Sequence, residues 1–319
     1  MRVVIPGGSG QVGNLLARAF RARGDEVTVL ARKQIEAPWR VVTWEPTVRG
    51  SWEQEFDGAD VVINLAGRSV NCRYTPANRD QILRSRIEST RAVGTAISRA
   101  TRPPRIWLQA STATIYAHRY DQGNDELTGI LGGSEADAPD TWRFSVEVAR
   151  SWERALDEAT VPGSRKVALR SAVVMSPDRG GIFDTLLGLV RRGLGGRSGD
   201  GRQYVSWIHH EDFARAVMWL LEHDDLAGVV NLSAPNPLPN TDFMKALRQA
   251  WGSPVGLPAT KWMLELGALF MRTETELVLK SRRVVPGRLL LSGFKFNFPE
   301  WSPAATELCS AWRASVAAA

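Results

Sequence analysis

The chain has 319 residues, 44% of them apolar and 23% charged, enough for a full hydrophobic core in one large α/β unit or in one unit with a smaller appendage. Its two cysteines, Cys72 and Cys309, sit far apart and outside any CxxC, which argues against a disulfide framework or a cysteine metal site and fits a reducing, cytoplasmic setting. The net charge of +6 comes mostly from arginines interleaved with carboxylates, so nucleic acid is not an expected partner; no apolar run reaches the length of a membrane span, and Val3-Val4-Ile5 is too short for a signal peptide.

Short β-branched runs alternate with longer amphipathic segments through the first two-thirds of the chain. The runs at 2–5, 26–31, 40–44, 60–64, 105–110, 166–171 and 229–232 read as strands, several of them continuously apolar as in a sheet covered on both faces. Helices are expected over 12–23, 79–99, 141–159, 210–222 and 242–250. The pattern predicts a doubly wound, Rossmann-like parallel sheet over residues 1–232. After the loop signal "APNPLPN" a smaller, mainly helical region follows over 233–319, punctuated by prolines 254, 258, 286, 299 and 303.

The first strand runs into "VVIPGGSGQVG", which fits GxGxxG at Gly8, Gly10 and Gly13 and GxxGxxG at Gly7, Gly10 and Gly13. Small residues there let a backbone approach a pyrophosphate placed at the N-terminus of the following helix, whose Val12, Leu15, Leu16, Ala19 and Phe20 form an apolar face. The second strand ends in Ala31-Arg32-Lys33, where an NAD site usually has a carboxylate. An arginine pairs instead with a 2′-phosphate, so the expected cofactor is NADP(H). The fourth strand ends in "NLAG", residues 64–67, again small residues at a strand edge. On the next helix Ile82, Leu83, Ile87, Val93 and Ile97 form a stripe that also contains Arg86. A charge on the inward face needs a partner, either a ligand phosphate or an internal salt bridge. "STATIY" places Ser111 and Thr112 at the edge of the fifth strand. In "WIHHED", His209 and His210 are expected on opposite faces of a strand and therefore not as a ligand pair; Asp212 reads as a helix N-cap, and no metal site is expected.

Together with "INLAGRSVNCRY", "SRIESTR", "RFSVEVARSWERA", "LRSAVVMS", "GLGGRSGDGRQYVSWIHHED" and "RRVVPGRLLLSGFKF", these motifs resemble the extended short-chain dehydrogenase/reductases. They are most similar to the atypical NADP-binding epimerase-family branch with a C-terminal domain of unknown function. The resemblance implies cofactor contacts at Gly7, Gly10, Gln11, Val12 and Gly13, at Ala31 and Arg32, at Leu65 and Ala66, at Gln81 and Arg86, and at Val174 near the nicotinamide.

It also exposes a departure. Active members of the superfamily carry Tyr-x-x-x-Lys where this chain reads Phe144-Ser-Val-Glu-Val148. The four tyrosines, 74, 116, 120 and 204, are followed four residues later by Asn78, Tyr120, Asn124 and Ile208, so the pair occurs nowhere. The remaining polar candidates are Ser111 and Tyr116, with Glu147 a base only if its helix turns it inward. The arginine that holds the sugar-nucleotide phosphate in nucleotide-sugar epimerases is replaced by Val205. The expected function is an NADP(H)-binding oxidoreductase acting on a small carbonyl-type substrate. The alternatives are a non-catalytic NADPH-binding or redox-sensing module and, behind it, a nucleotide-sugar epimerase. Substrate identity and a homodimer are left open.

Overall fold

A computed structural model describes residues 1–260, 274 and 276–317. Its centre is a seven-stranded sheet of β1 (Arg2–Pro6), β2 (Glu26–Ala31), β3 (Arg40–Thr43), β4 (Val61–Asn64), β5 (Ile106–Thr112), β6 (Arg165–Ser171) and β10 (Gly228–Leu232). The spatial order is β10-β6-β5-β4-β1-β2-β3 and every pairing is parallel. The direction of strand succession therefore reverses between β1 and β4, and all strands end on one edge, where an open α/β sheet forms its ligand crevice.

Residue parity decides which face each side chain enters. Val3, Ile5, Val27, Val29, Val61, Ile63, Ile106 and Leu108 pack with Leu16 and Phe20 of α1 (Gln11–Ala22) and with Val217 and Leu220 of α5 (His210–Glu222). Val4, Leu30, Val62 and Trp107 face the opposite way, onto Val93 and Ile97 of α2 (Pro76–Arg99) and Leu156 of α3 (Asp140–Asp157). Burial on both faces is why these strands read as unbroken apolar runs.

Between β6 and α5 the structure contains elements that periodicity left unassigned: β7 (Val173–Met175), α4 (Ile182–Arg191), β8 (Tyr204–Val205) and β9 (Trp207–His209). Strands of two or three residues are too short to show a period. β7 pairs with β9, and β8 pairs antiparallel with β11 (Leu238–Pro239). The C-terminal region is helical, with α6 (Asn240–Trp251), short helices at Glu276–Leu279 and Gly287–Leu291, and a last helix Trp301–Ala317; part of the 233–319 segment lies outside the described residues. It shares a second apolar cluster with α4, β7 and β9. There Trp301 stacks on Phe243 at 4.1 Å, meets Trp207 edge-on at 4.9 Å and donates its indole N–H to the Phe243 carbonyl at 2.9 Å.

Two expectations around "WIHHED" need correction. His209 closes β9 and caps α5 while His210 opens the helix, so strand alternation does not separate the rings, which lie 4.5 Å apart. The N-cap is His209, whose Nδ1 accepts from the Glu211 N–H at 3.3 Å. Asp212 is fully buried instead: it accepts from Arg215 at 2.7 Å and from the backbone N–H groups of Asn297 and Phe298, each at 2.8 Å. It thus ties the C-terminal region to α5. Asp212→Ala leaves two backbone N–H groups and the partly exposed Arg215 without their acceptor, and urea denaturation is expected to show a loss of about 2–4 kcal/mol. A loss below about 1 kcal/mol would refute this role.

Candidate functional site

The crevice starts at the glycine loop, and its glycines do different work. Gly7 adopts φ +75°, and a Cβ on it would stand 2.5 Å from the Cα of Ala66. A Cβ on Gly13 would meet the Gly8 carbonyl oxygen at 2.3 Å, so α1 packs onto its own loop only without one. A Cβ on Gly10 would touch nothing within 4 Å. Gly10 is the N-cap of α1, which has no side-chain cap and no acidic residue in its first turn, so the N–H groups of that turn face open space. Beside them the Gln11 Nε2 is buried with no hydrogen-bond partner. Val12 turns partly inward onto the core. Free N–H groups, an orphaned amide and room for a close approach together suit a phosphate.

The flanking contacts are held by backbone bonds. The Gly7 N–H donates to the Leu30 carbonyl at 2.8 Å and the Leu65 N–H to the Pro6 carbonyl at 2.8 Å. Buried Asn64 donates from Nδ2 to Gln109 at 2.9 Å and accepts from the Ala66 N–H at 3.1 Å, which fixes the strand end. Beyond buried Ala31, exposed Arg32 makes no hydrogen bond or ion pair with any described residue. It lines a cavity of about 680 Å³ with Arg68, Gln81, Arg84 and Ser85. Arg84 is occupied by Glu88 at 2.8 Å and Arg68 donates to the Asn78 side chain at 2.7 Å, which leaves Arg32 as the cation of that group whose side chain is uncommitted among the described residues. Val174 is half-buried in β7.

A second cavity, of about 250 Å³, lies at the ends of β5 and α3. Phe144 and Val148 form its floor, with Tyr74 edge-on to Phe144 at 5.2 Å. Ser111 lines it, but the Ser111 hydroxyl donates to Glu153 at 2.6 Å, and Glu153 is gripped by Arg170 through bonds of 2.7 and 2.8 Å. Its proton is therefore committed away from a ligand. Thr112 accepts from the Thr114 N–H at 3.2 Å and donates to no described residue, so it is the better-placed hydrogen-bond donor. Tyr116 is only 2% exposed and lies off the cavity wall; its hydroxyl donates to Asn231 at 2.9 Å and accepts from Arg170 at 3.0 Å. Burial raises its pKa. Glu147 is exposed on the outer face of α3.

Arg86 lies in this second cavity and not in the Arg32 groove. Among the described residues no carboxylate pairs with it. Its Nη1 donates to the carbonyls of Ile82 at 2.9 Å and Arg68 at 3.0 Å, and its guanidinium sits 4.9 Å from the Trp152 ring. Burial pulls its pKa down to about 10.

The remaining wall comes from the C-terminal region, and the sequence carried no signal for it. Glu276, 1% exposed, accepts from Ser145 and lies 4.0 Å from Arg282; burial raises its pKa. Burial, with Glu276 nearby, pushes the Tyr74 phenol up to about 12. Lys280 donates to the Thr114 carbonyl at 2.7 Å, and burial lowers its pKa to about 8. Trp152 was recoverable in principle, since it follows Phe144 and Val148 at intervals of four on one helix face.

His209, His210 and Glu307 have ligand-type atoms within 4.8 Å of one another. However, His209 accepts a backbone N–H at Nδ1, which places its proton on Nε2, and that proton is donated to Glu307 at 2.8 Å. The bonding pattern is that of a pin between α5 and the last helix.

The loop geometry predicts that Gly13→Ala destabilises the fold by more than about 2 kcal/mol, whereas Gly10→Ala costs less than about 1 kcal/mol, measured by urea unfolding. Lys280 gives a pH signature. Its ordinary pKa of 10.5 falls to about 8 on folding, so between these values the unfolded chain binds more protons and stability rises with pH. Lys280→Met, which removes the buried ammonium and one hydrogen bond, should therefore be about 1–2 kcal/mol more stable than wild type at pH 7. That advantage should shrink as pH rises through 8 towards 10.5, as urea midpoints of the two proteins would show.

A model of the NAD dependent epimerase/dehydratase family matches residues 3–233, and one of a domain of unknown function (DUF1731) matches residues 259–308. Epimerase family protein SDR39U1 of Bos taurus is 32% identical over 314 residues, covering 97% of this chain and 99% of the relative. The crystal structure of human epimerase family protein SDR39U1 (isoform2), solved with NADPH, aligns with a TM-score of 0.83 at 29% identity, over 97% of this chain and 99% of that one. A nucleoside-diphosphate sugar epimerase from Corynebacterium glutamicum aligns with a TM-score of 0.73 at 27% identity over 100% of this chain, which spans 61% of that longer protein. The resemblance read from the motifs thus extends through the sheet and into the C-terminal region, and the chain belongs to the NAD dependent epimerase/dehydratase family.

Proposed function

We propose that this chain is an NADP(H)-binding oxidoreductase that reduces a small carbonyl compound without the tyrosine–lysine pair. The observation that carries the cofactor is the combination at the crevice: an open Gly10, uncapped N–H groups, an orphaned Gln11 amide, and Arg32 free of carboxylates at the end of β2. Gly7, Gly10, Gln11, Val12 and Gly13 would cradle the pyrophosphate. Ala31, Arg32 and Gln81 would take the adenosine end, with Leu65, Ala66 and Arg86 along the strand edge and Val174 towards the nicotinamide. The human relative solved with NADPH supports this choice.

When bound, NADPH supplies a hydride. The protein must then stabilise the carbonyl oxygen as it gains the π electron pair, and let it take up a proton. Thr112, with an uncommitted hydroxyl at the cavity wall, would provide the hydrogen bond, and solvent the proton. Losing a positioned general acid costs on the order of 10²–10⁴-fold in rate, so slow turnover is expected. Phe144 and Val148 themselves favour a second reading, a cofactor-binding module that senses redox state. A nucleotide-sugar epimerase fits less well, because Val205 is engaged in β8 pairing where a phosphate-binding arginine would be needed. The free cysteines fit a cytoplasmic setting, with a small molecule as the substrate.

Fluorescence titration should show NADPH binding more tightly than NADH, and Arg32→Ala should weaken NADPH about 10- to 100-fold while leaving NADH nearly unchanged. Equal affinities in wild type would remove the NADP assignment. A carbonyl panel that leaves bound NADPH unoxidised, together with a protein partner that recognises only one redox state, would favour the sensor.

A further inference from the structure

Among the described residues the second cavity has one carboxyl on its wall, Glu276, and half of that carboxyl is without a partner. Ser145 donates to Oε2, whereas Oε1 is buried and makes no hydrogen bond. Arg282 lies 4.0 Å from Oε1 but directs N–H groups elsewhere, to the Thr114 hydroxyl at 3.1 Å and to the carbonyls of Glu276 at 3.3 Å and Lys280 at 3.5 Å. A buried polar oxygen left in this way is costly, and a ligand group can supply what it lacks.

Burial favours the neutral acid over the opposing pull of Arg282, Ser145 and Lys280, and Glu274 adds to the rise. With Ser145 donating to Oε2, the acid carries its proton on Oε1, so the unpartnered atom becomes a donor that needs an acceptor. No other described group on this wall can both hold and release a proton near neutrality. Arg86 and Arg282 are too basic, and Arg86 packs against Gly67 at the cofactor edge. The Tyr74 phenol is pushed up to about 12, and the Ser111 proton goes to Glu153.

We propose that Glu276 is the acid of this cavity, donating through Oε1 to the carbonyl oxygen of a small neutral ligand that rests on Phe144, Val148 and Trp152. Thr112, on the same wall, bonds the second lone pair of that oxygen. The volume of about 250 Å³, roughly eight waters' worth of liquid, admits a compact ketone. Joined to the reductase reading, on which only this step rests, Glu276 becomes the proton donor. The carbonyl carbon gains the hydride, its oxygen takes the π pair and the Glu276 proton, and the products are the alcohol and NADP⁺. The carboxylate left behind faces Arg282 and is reprotonated by solvent, so the solvent proton reaches the substrate by way of Glu276.

Infrared difference spectroscopy on the full chain, saturated with NADP⁺ so that no hydride can move, tests the acid directly. Wild type at neutral pH should show a protonated-carboxyl band that shifts when acetophenone, labelled with carbon-13 at its carbonyl, is added. α-Methylstyrene, of the same shape without the oxygen, should leave the band in place. The ligand response also separates Glu276 from half-buried Glu126, whose pKa burial raises outside this cavity. Absence of a protonated band that responds to acetophenone would overturn the proposal in wild type alone, whatever the stability of a variant. Persistence of the responsive band in folded Glu276→Gln would also sink it, by giving the proton to another group. Turnover then separates the two readings. If the band behaves as expected but no carbonyl compound oxidises NADPH, the acid site stands and the reductase reading fails. If a ketone is reduced, Glu276→Gln keeps a hydrogen-bond donor but no transferable proton, so kcat should fall about 100-fold or more while KM changes less than about threefold. A kcat within about threefold of wild type would remove Glu276 as the proton donor.

Discussion

The close approach of Gly7 to Ala66 sets the geometry of the whole crevice. β1 and β4 lie side by side, but their connections leave in opposite directions, and at their ends the two backbones come so near that a single added carbon at Gly7 would be 2.5 Å from a neighbouring Cα. That contact holds the loop low, aims the first turn of α1 outward and leaves the space over Gly10 clear. The Asn64–Gln109 bond behind it keeps the strand ends in register, so the uncapped N–H groups at the start of α1 are positioned by the sheet edge.

Further along the same edge, the polar residues that a dehydrogenase would use have been drawn into structure. Ser111, Glu153, Arg170, Tyr116 and Asn231 form one continuous hydrogen-bonded chain beneath the cavity. Each group in it is satisfied by the next, which suits burial and leaves little proton traffic for a ligand. The cavity above is correspondingly apolar on the α3 side, and its charge arrives from elsewhere: Arg86 from α2, Glu276 and Arg282 from the C-terminal region. Loss of the tyrosine and lysine is thus accompanied by a different electrostatic arrangement, with cations facing an apolar floor.

Much of this was legible in advance where the signal is local. Continuous apolar runs, glycine spacing and the inward stripe of α2 depend on neighbours within a few residues, and the sheet, the phosphate loop and the oddity of Arg86 follow from them. Where the outcome depended on distant partners, local rules misled. Asp212 has the look of a cap because an acid near a helix start usually is one, yet its oxygens are claimed by Asn297 and Phe298 some eighty-five residues away. His209 and His210 straddle the end of a three-residue strand, so a rule of alternation had nothing to act on. Ser111 and Tyr116 were sensible polar candidates whose protons turn out to be committed to Glu153 and Asn231.

The amino-acid sequence by itself determined the parallel sheet, the glycine loop, the cation at the end of β2 and the absence of Tyr-x-x-x-Lys, because each is written in residue type and short spacing. The tertiary structure alone decided that Arg86 pairs with no carboxylate among the described residues, that Thr112 and not Ser111 keeps a hydroxyl proton uncommitted among them, and that Glu276 and Arg282 complete the wall. The physical reason is that burial and hydrogen-bond partnership depend on which distant segments pack together, and no local pattern encodes that.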